Sequence, residues 1–251
     1  MRVLITGASC GIGRDMARYL AKDGHEIYLS ARSVPRLEKL AEELGEDKTH
    51  IIAADLSDEA ECFRVYNVVK KYDIDVLINN AGFGTFGYFD EIPLEREINM
   101  IDLNVRAVHI LTKLFLADFE KKNSGYILNV ASSAAFLPGP LMATYYATKA
   151  YVLHLSEAVS EELCRKGSRV YIGALCPGPV DTEFNRTAGV SFNLKSLTSG
   201  TVAKYGIDKM FKRRTVIIPG VTIKLGTFFS GIMPRGILRK IAYNLQKKKG
   251  V

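Results

Sequence analysis

The sequence predicts a single-domain α/β fold, a doubly wound parallel sheet of about seven strands with helices on both faces. Three observations carry this expectation. Short β-rich runs alternate with longer segments of helical period through most of the chain. The strand runs are apolar on both faces, as in a sheet covered on both sides. No linker divides the 251 residues, of which 47% are hydrophobic, so residues 1–251 are expected to share one core.

Arg2 to Thr6 reads as the first strand. Ile12 to Asp23 reads as a helix with Met16, Ala17 and Leu20 on one face, ended by Gly24. Glu26 to Ser30 is the second strand, and a helix with Pro35 at its start follows to Leu44. His50 to Ala54 is the third strand, and Asp58 to Tyr72 a helix with Ser57 as its expected N-cap. Asp75 to Asn79, Gly125 to Val130 and Arg169 to Leu175 are the next three strands. One long helix over Leu94 to Lys122 and another over Ala143 to Lys166 separate them. Pro177-Gly178-Pro179 ends the sixth strand, and residues 181–200 read as a mobile substrate loop or a pair of short helices. Thr215 to Pro219 is the expected seventh strand, followed by an apolar and basic extension over residues 221–251.

The net charge of +7 is concentrated at the C-terminal end. From Ala203 to Val251 there are 12 Lys or Arg and one acid, Asp208, so the remainder of the chain carries −4. A basic nucleic-acid-binding domain would distribute its charge differently, so no nucleic-acid partner is expected. Cys10, Cys62, Cys164 and Cys176 show neither CxxC spacing nor a metal-ligand pattern. Met1-Arg2 leads into the short apolar run Val3-Leu4-Ile5 and then a glycine loop, not a cleavage site. A cytoplasmic protein with reduced thiols and no metal is the expectation. Cys10 falls near a helix N-terminus, where a thiolate is favoured, but reads first as a small loop residue.

Gly7-Ala8-Ser9-Cys10-Gly11-Ile12-Gly13 follows the first strand and opens the first helix. Glycines there let the backbone turn tightly against a pyrophosphate, whose charge sits at the helix N-terminus. The end of the second strand distinguishes the two dinucleotides: an acid binds the ribose hydroxyl of NAD, a basic residue the 2′-phosphate of NADP. Here the run is Leu29-Ser30-Ala31-Arg32-Ser33, with no acid. Arg32, helped by the Ser30 or Ser33 hydroxyl and by Arg14, points to NADP(H). Asp55-Leu56 after the third strand and Asn79-Asn80-Ala81-Gly82 after the fourth lie at the sheet edge where ligands bind. Asp55 fits an adenine contact or a helix cap. The paired Asn residues fit a backbone turn that leaves room for the adenosine ribose.

Tyr145 and Lys149 are four apart on a predicted helix and share a face. A phenol ionises near pH 10 and is a poor base at neutrality, but a nearby ammonium favours the phenolate. Tyr145 can then exchange a proton with substrate, with the Ser132 hydroxyl on the substrate oxygen. Tyr146, three residues before Lys149, meets the same helical criterion, and helical geometry leaves the two open.

Taken in order, Thr6-Gly7-x3-Gly11-Ile12-Gly13, Asp55-Leu56, Asn79-Asn80-Ala81-Gly82, Asn104, Ser132, Tyr145-x3-Lys149 and Pro177-Gly178 resemble the motifs of the short-chain dehydrogenase/reductase family over residues 1–220 or so. The resemblance implies a Rossmann-type fold and a catalytic set of Asn104, Ser132, Tyr145 and Lys149. The family spacing of Ser to Tyr selects Tyr145 over Tyr146. It implies that the Asn104 backbone helps hold a water linking Lys149 to solvent, and that Lys149 also holds the nicotinamide ribose. It implies cofactor contacts at Gly7, Ser9, Cys10, Gly11, Ile12, Gly13, Arg32, Asp55, Leu56, Asn80, Ala81, Gly82, Pro177, Gly178, Val180 and Thr182, with Thr182 on the carboxamide.

Phe83, Phe86, Phe136, Leu137, Met142, Phe184 and Phe192 are candidate walls for an apolar ketone or secondary alcohol, steroid-like or acyl-chain ketones included. Pro234 to Lys249 suits an amphipathic helix with Ile237, Leu238, Ile241, Ala242 and Leu245 on one face. Covering the pocket or a subunit interface is favoured over lying on anionic lipid or an acidic carrier protein. A homodimer or homotetramer is expected. The competing readings are a catalytically silent NADP-binding scaffold and a membrane-peripheral lipid reductase.

Overall fold

The computed structural model describes residues 1–184 and 197–247. Seven parallel strands form the sheet: β1 (Arg2–Thr6), β2 (Glu26–Ala31), β3 (Thr49–Ala53), β4 (Val76–Asn79), β5 (Tyr126–Val130), β6 (Tyr171–Leu175) and β9 (Val216–Ile217). Their spatial order is β3-β2-β1-β4-β5-β6-β9. The order reverses between β1 and β4, which pair in register Val3 with Val76 and Ile5 with Ile78. Such a reversal opens a crevice beyond the carboxyl ends of the two strands, and the site lies there.

Each face of the sheet has its own core. On one, Val3, Ile5, Ile27 and Leu29 pack against α1 (Gly11–Lys22), α2 (Val34–Leu44) and α7 (Ser199–Phe211), through residues such as Met16, Leu37 and Ile207. On the other, Leu4, Leu77, Ile127 and Ile172 pack against α3 (Glu59–Lys70), α5 (Val108–Lys121) and α6 (Ala143–Arg165), through residues such as Val65, Phe115 and Leu163. Alternate strand residues point to opposite faces, so strands flanked by two helical layers must be apolar throughout.

Several local expectations are corrected. The long helix expected over 94–122 begins as α4 (Leu94–Ile101), widens into a π segment (Asp102–Ala107) and resumes as α5. The helix after β3 is capped by Asp58, whose side chain accepts from the Ala60 N–H, not by Ser57. Ser57 donates to Asp55 instead. At the described ends of the 181–200 segment, β7 (Val180–Asp181) pairs with β8 (Leu197–Thr198), and α7 starts at Ser199. Phe192 and Leu194 lie outside the described residues. The extension forms two helices, α8 (Val221–Ile232) and α9 (Arg235–Lys247), broken near Pro234. On α9 the expected apolar face divides: Leu238 and Ala242 are buried together with Gln246, whereas Ile237, Ile241 and Leu245 are exposed.

Candidate active site

Beyond the ends of β1 and β4 lies a cleft of about 350 Å³. Its floor begins with the glycine loop. Gly7 and Gly11 have φ of +64° and +55°, a region unfavourable for residues with a Cβ. Cys10, at the N-cap of helix α1, makes no side-chain capping bond, which leaves the helix's N-terminal dipole available to an anion. The loop is held from below by Asn80, whose Nδ2 donates to the Thr6 carbonyl at 3.0 Å and the Gly7 carbonyl at 3.1 Å. The Thr6 hydroxyl in turn accepts from the N–H groups of Asn80 and Ala81. Gly13 does not line the cleft. A Cβ there would overlap Asn80 Nδ2 and come within 2.5 Å of the Gly7 carbonyl, so its task is close approach.

Asn79 departs from its expected part in the turn. Its side chain points into the core, donating to Asn129 Oδ1 at 2.9 Å and Thr112 Oγ1 at 3.1 Å. Adjacent strand residues face opposite sides, so only Asn80 reaches the loop.

Ser9, Cys10, Gly11, Ile12, Arg32, Asp55, Leu56, Ala81, Gly82, Pro177, Gly178, Val180 and Thr182 all line the cleft. Arg32 lies 3.5 Å from Asp55, an exposed pair that water screens. Burial pushes the Asp55 carboxyl up, but the Ser57 hydroxyl and N–H, with Arg32, outweigh it and hold the group below its ordinary value. The Ser30 hydroxyl is buried at the cleft with no hydrogen-bond partner. Cys10 is not a thiolate site: burial, followed by the Glu183 carboxylate, raises its pKa. Glu183 also pairs with Arg36 of α2 at 2.5 Å, tying the segment after β7 to the cofactor side of the fold. Sequence reasoning missed that pair, because 147 residues separate the partners and neither belongs to a local pattern.

At the other end of the cleft Ser132, Tyr145 and Lys149 converge. Ser132 leaves β5 in extended backbone, its hydroxyl accepts from the Ala134 N–H at 3.1 Å, and it lines the cleft together with Tyr145. Lys149 Nζ donates to the Val130 carbonyl at 2.8 Å and sits 5.9 Å from the Tyr145 ring centroid. Burial drives both groups toward their neutral forms. It pushes the Tyr145 phenol well above its ordinary range, with Ser132 opposing, and draws Lys149 down to about 8. The expected lowering of the phenol by Lys149 is therefore not its net state here. Both groups are buried, and the ammonium faces a carbonyl rather than the phenolic oxygen.

Tyr146 is held differently. Its hydroxyl accepts from Gln246 Nε2 on α9, and its ring fills the space where a Cβ on Gly139 would stand. The tie to Gln246 had no local signal, since the two residues are 100 apart. Asn104 is fully buried in the π segment, behind the cleft. Its Nδ2 donates to the Phe83 carbonyl at 2.9 Å and the Thr148 hydroxyl at 3.1 Å, and its Oδ1 accepts from the Phe83 N–H at 3.1 Å. It thus joins the turn after β4 to helix α6.

Phe83, Met142, Phe184, Ala134 and Tyr146 give this end of the cleft an apolar lining. Phe86 packs beside Tyr145 without lining the cleft, and Phe136 packs against the separate core around Val152 and Leu153. Leu137 does not line it either. Among the described lining residues, Arg32 and Lys149 are the only cations. No group of three or more His, Cys, Asp or Glu is placed to hold a metal among the described residues.

A sequence model of the family described as short chain dehydrogenase matches residues 1–190. An uncharacterized oxidoreductase of Bacillus subtilis, YvrD, is 36% identical over 184 residues, 72% of this chain and 69% of its own length. A short-chain dehydrogenase from Sphingobium yanoikuyae, solved in complex with NADPH, superposes with a TM-score of 0.82 at 32% identity, covering 92% of this chain and 94% of its own. A bulky-bulky ketone specific alcohol dehydrogenase from Comamonas testosteroni gives a TM-score of 0.79 at 29% identity, over 92% and 93% of the two chains.

Proposed function

The chain belongs to the short-chain dehydrogenase/reductase family of oxidoreductases, and we propose that it catalyses hydride exchange between NADP(H) and an apolar ketone or secondary alcohol. The observation that carries this reading is the meeting of Ser132, Tyr145 and Lys149 in the same cleft as the glycine loop. The residues fit the dinucleotide. The glycine loop offers an uncapped helix start for a pyrophosphate, Arg32 a cation for a 2′-phosphate, and Ser30 an orphaned hydroxyl beside it. Gly7, Ser9, Cys10, Gly11 and Ile12 would hold the pyrophosphate side. Arg32, Asp55, Leu56, Asn80, Ala81 and Gly82 would hold the adenosine side. Lys149, Pro177, Gly178, Val180 and Thr182, with Tyr145, would hold the nicotinamide side. The relative solved with NADPH is consistent with this assignment.

When bound, NADP(H) supplies or accepts the hydride. The protein's residues handle the proton. Tyr145, whose phenol burial keeps protonated, donates from its Oη to the oxygen of a ketone under reduction. Ser132 Oγ hydrogen-bonds that oxygen and stabilises its developing charge. Lys149 Nζ orients the ribose and, when protonated, favours the phenolate left behind. Asn104 acts by position, fixing Phe83 and Thr148 around the pair. The apolar far end, with no cation other than Lys149 among its described residues, suits a bulky ketone rather than a carboxylate or phosphate.

The test is steady-state turnover of ketones of graded size, including steroids and acyl thioesters, with NADPH and NADH compared. NADPH should give the higher kcat/KM, and Arg32→Asp should erode that preference. Equal kcat/KM for the two cofactors in the parent would refute the NADP assignment. Tight NADPH binding without turnover of any ketone would point instead to a silent cofactor-binding protein.

A further inference from the structure

The C-terminal pair of helices presents its apolar residues outward. On α8, Val221, Leu225, Phe228, Phe229 and Ile232 recur at helical spacing and share one face. All five are exposed, Phe228 at 65% and Ile232 at 69%, and no residue of α8 is buried. The opposite side carries the half-buried Ile223, Thr227 and Ser230. Ile223 sits where a Cβ on Gly178 would stand, so the inner side of α8 rests on the rim of the cleft. On α9, Leu238, Ala242 and Gln246 are buried, with Gln246 bonded to Tyr146, while the neighbouring row Ile237, Ile241 and Leu245 is exposed. Isolated exposed apolar residues need no explanation, but two helices with aligned outward rows do.

Charge identifies the occupant. Residues 221–251 contain seven Lys or Arg and no acid, in a chain whose first 202 residues carry a net negative charge. A second copy docked through this face by two-fold symmetry would set like charges against like. Neither helix is long and apolar enough to cross a membrane. Outward aromatic and aliphatic rows beside Lys224, Lys240 and Lys247 match a helix that lies in the headgroup layer of an anionic bilayer. We propose that α8 and α9 dock this protein on anionic lipid surfaces. The docking helix touches Gly178 of the cleft, which relates the lipid surface to a site built for an apolar substrate.

The test is co-sedimentation of the full chain with vesicles of phosphatidylcholine alone and of phosphatidylcholine with an equal part of phosphatidylglycerol. The parent should sediment with the phosphatidylglycerol vesicles, and added salt should weaken the association. Lys240→Glu with Lys247→Glu should weaken it by at least about twenty-five-fold, at about fivefold per basic residue at an anionic surface. Leu225→Ser with Phe228→Ser and Phe229→Ser should weaken it at least about tenfold, from the apolar area lost. Circular dichroism and NADPH binding confirm that each variant is folded. A parent that prefers neither vesicle overturns the proposal, as do variants that bind like the parent. Dissociation of a parent oligomer by the Ser substitutions, with no vesicle binding, would assign the face to a subunit interface. Binding of soluble polyglutamate but not vesicles would assign it to an acidic protein. Either result overturns lipid docking.

Discussion

Two adjacent tyrosines differ in what their hydroxyls meet. Tyr145 shares the cleft with Ser132 and lies under Lys149, whereas the Tyr146 hydroxyl accepts from Gln246 Nε2. Tyr145→Phe removes one oxygen from a packed ring, so fold and NADPH binding should persist. Without that oxygen no positioned group protonates the developing alkoxide, and ketone turnover should fall by about 10²–10⁴-fold. Tyr146→Phe should keep most activity. Stopped-flow reduction of a verified ketone measures both. Near-normal turnover in Tyr145→Phe with an inactive Tyr146→Phe would move the acid by one residue. Burial favours the neutral phenol, the form that a general acid needs.

At the scale of single elements, the turn after β1 depends on close packing. Gly13→Ala would place a methyl against Asn80 Nδ2 and the Gly7 carbonyl, the two groups that fasten the glycine loop to β4. Overpacking of this kind costs about 1–3 kcal/mol. The melting temperature should drop, and NADPH affinity should fall by about two- to twelvefold if half of that cost falls on the loop. Gly226 of α8 provides the contrast, since a Cβ there would meet nothing within 4 Å. Gly226→Ala should therefore stabilise by up to about 1 kcal/mol, the helix-propensity gain. Scanning calorimetry with an NADPH fluorescence titration measures both variants. A loss at Gly226 equal to that at Gly13 would contradict the packing argument.

The whole molecule bears the cost of burying Lys149. Its pKa is about 8 when folded and about 10.4 when unfolded, so between those values the unfolded chain binds more protons. Stability must then rise with pH across that window, and the full penalty applies below about 8. Lys149→Met removes this dependence and leaves the Val130 carbonyl without its partner at every pH. The melting temperature of the parent relative to Lys149→Met should therefore increase from pH 8 to pH 10, whatever the offset at pH 7. The buried phenols of Tyr28, Tyr145 and Tyr171 are raised, so they oppose folding only above about pH 10. A difference that stays flat between pH 8 and 10 would mean that Lys149 is not desolvated as the structure shows.

Periodicity and order of motifs were enough to read the parallel sheet, the glycine loop and the Tyr145–Lys149 pair, because each is a local pattern or a fixed offset along one element, whereas the family resemblance added Ser132 and the choice of Tyr145 over Tyr146. Their meeting in one cleft depends on the reversal of strand order between β1 and β4, which follows from long-range pairing. Tertiary structure alone decided the rest. It turned Asn79 into the core and Asn80 toward the loop, because adjacent strand residues face opposite sides. It tied Gln246 to Tyr146 and Glu183 to Arg36, across separations that no sequence period encodes. It also divided the apolar residues of α9 between an inner and an outer row. Amphipathic spacing shows that residues share a helix face, but the surface against which that face packs is set by the rest of the fold.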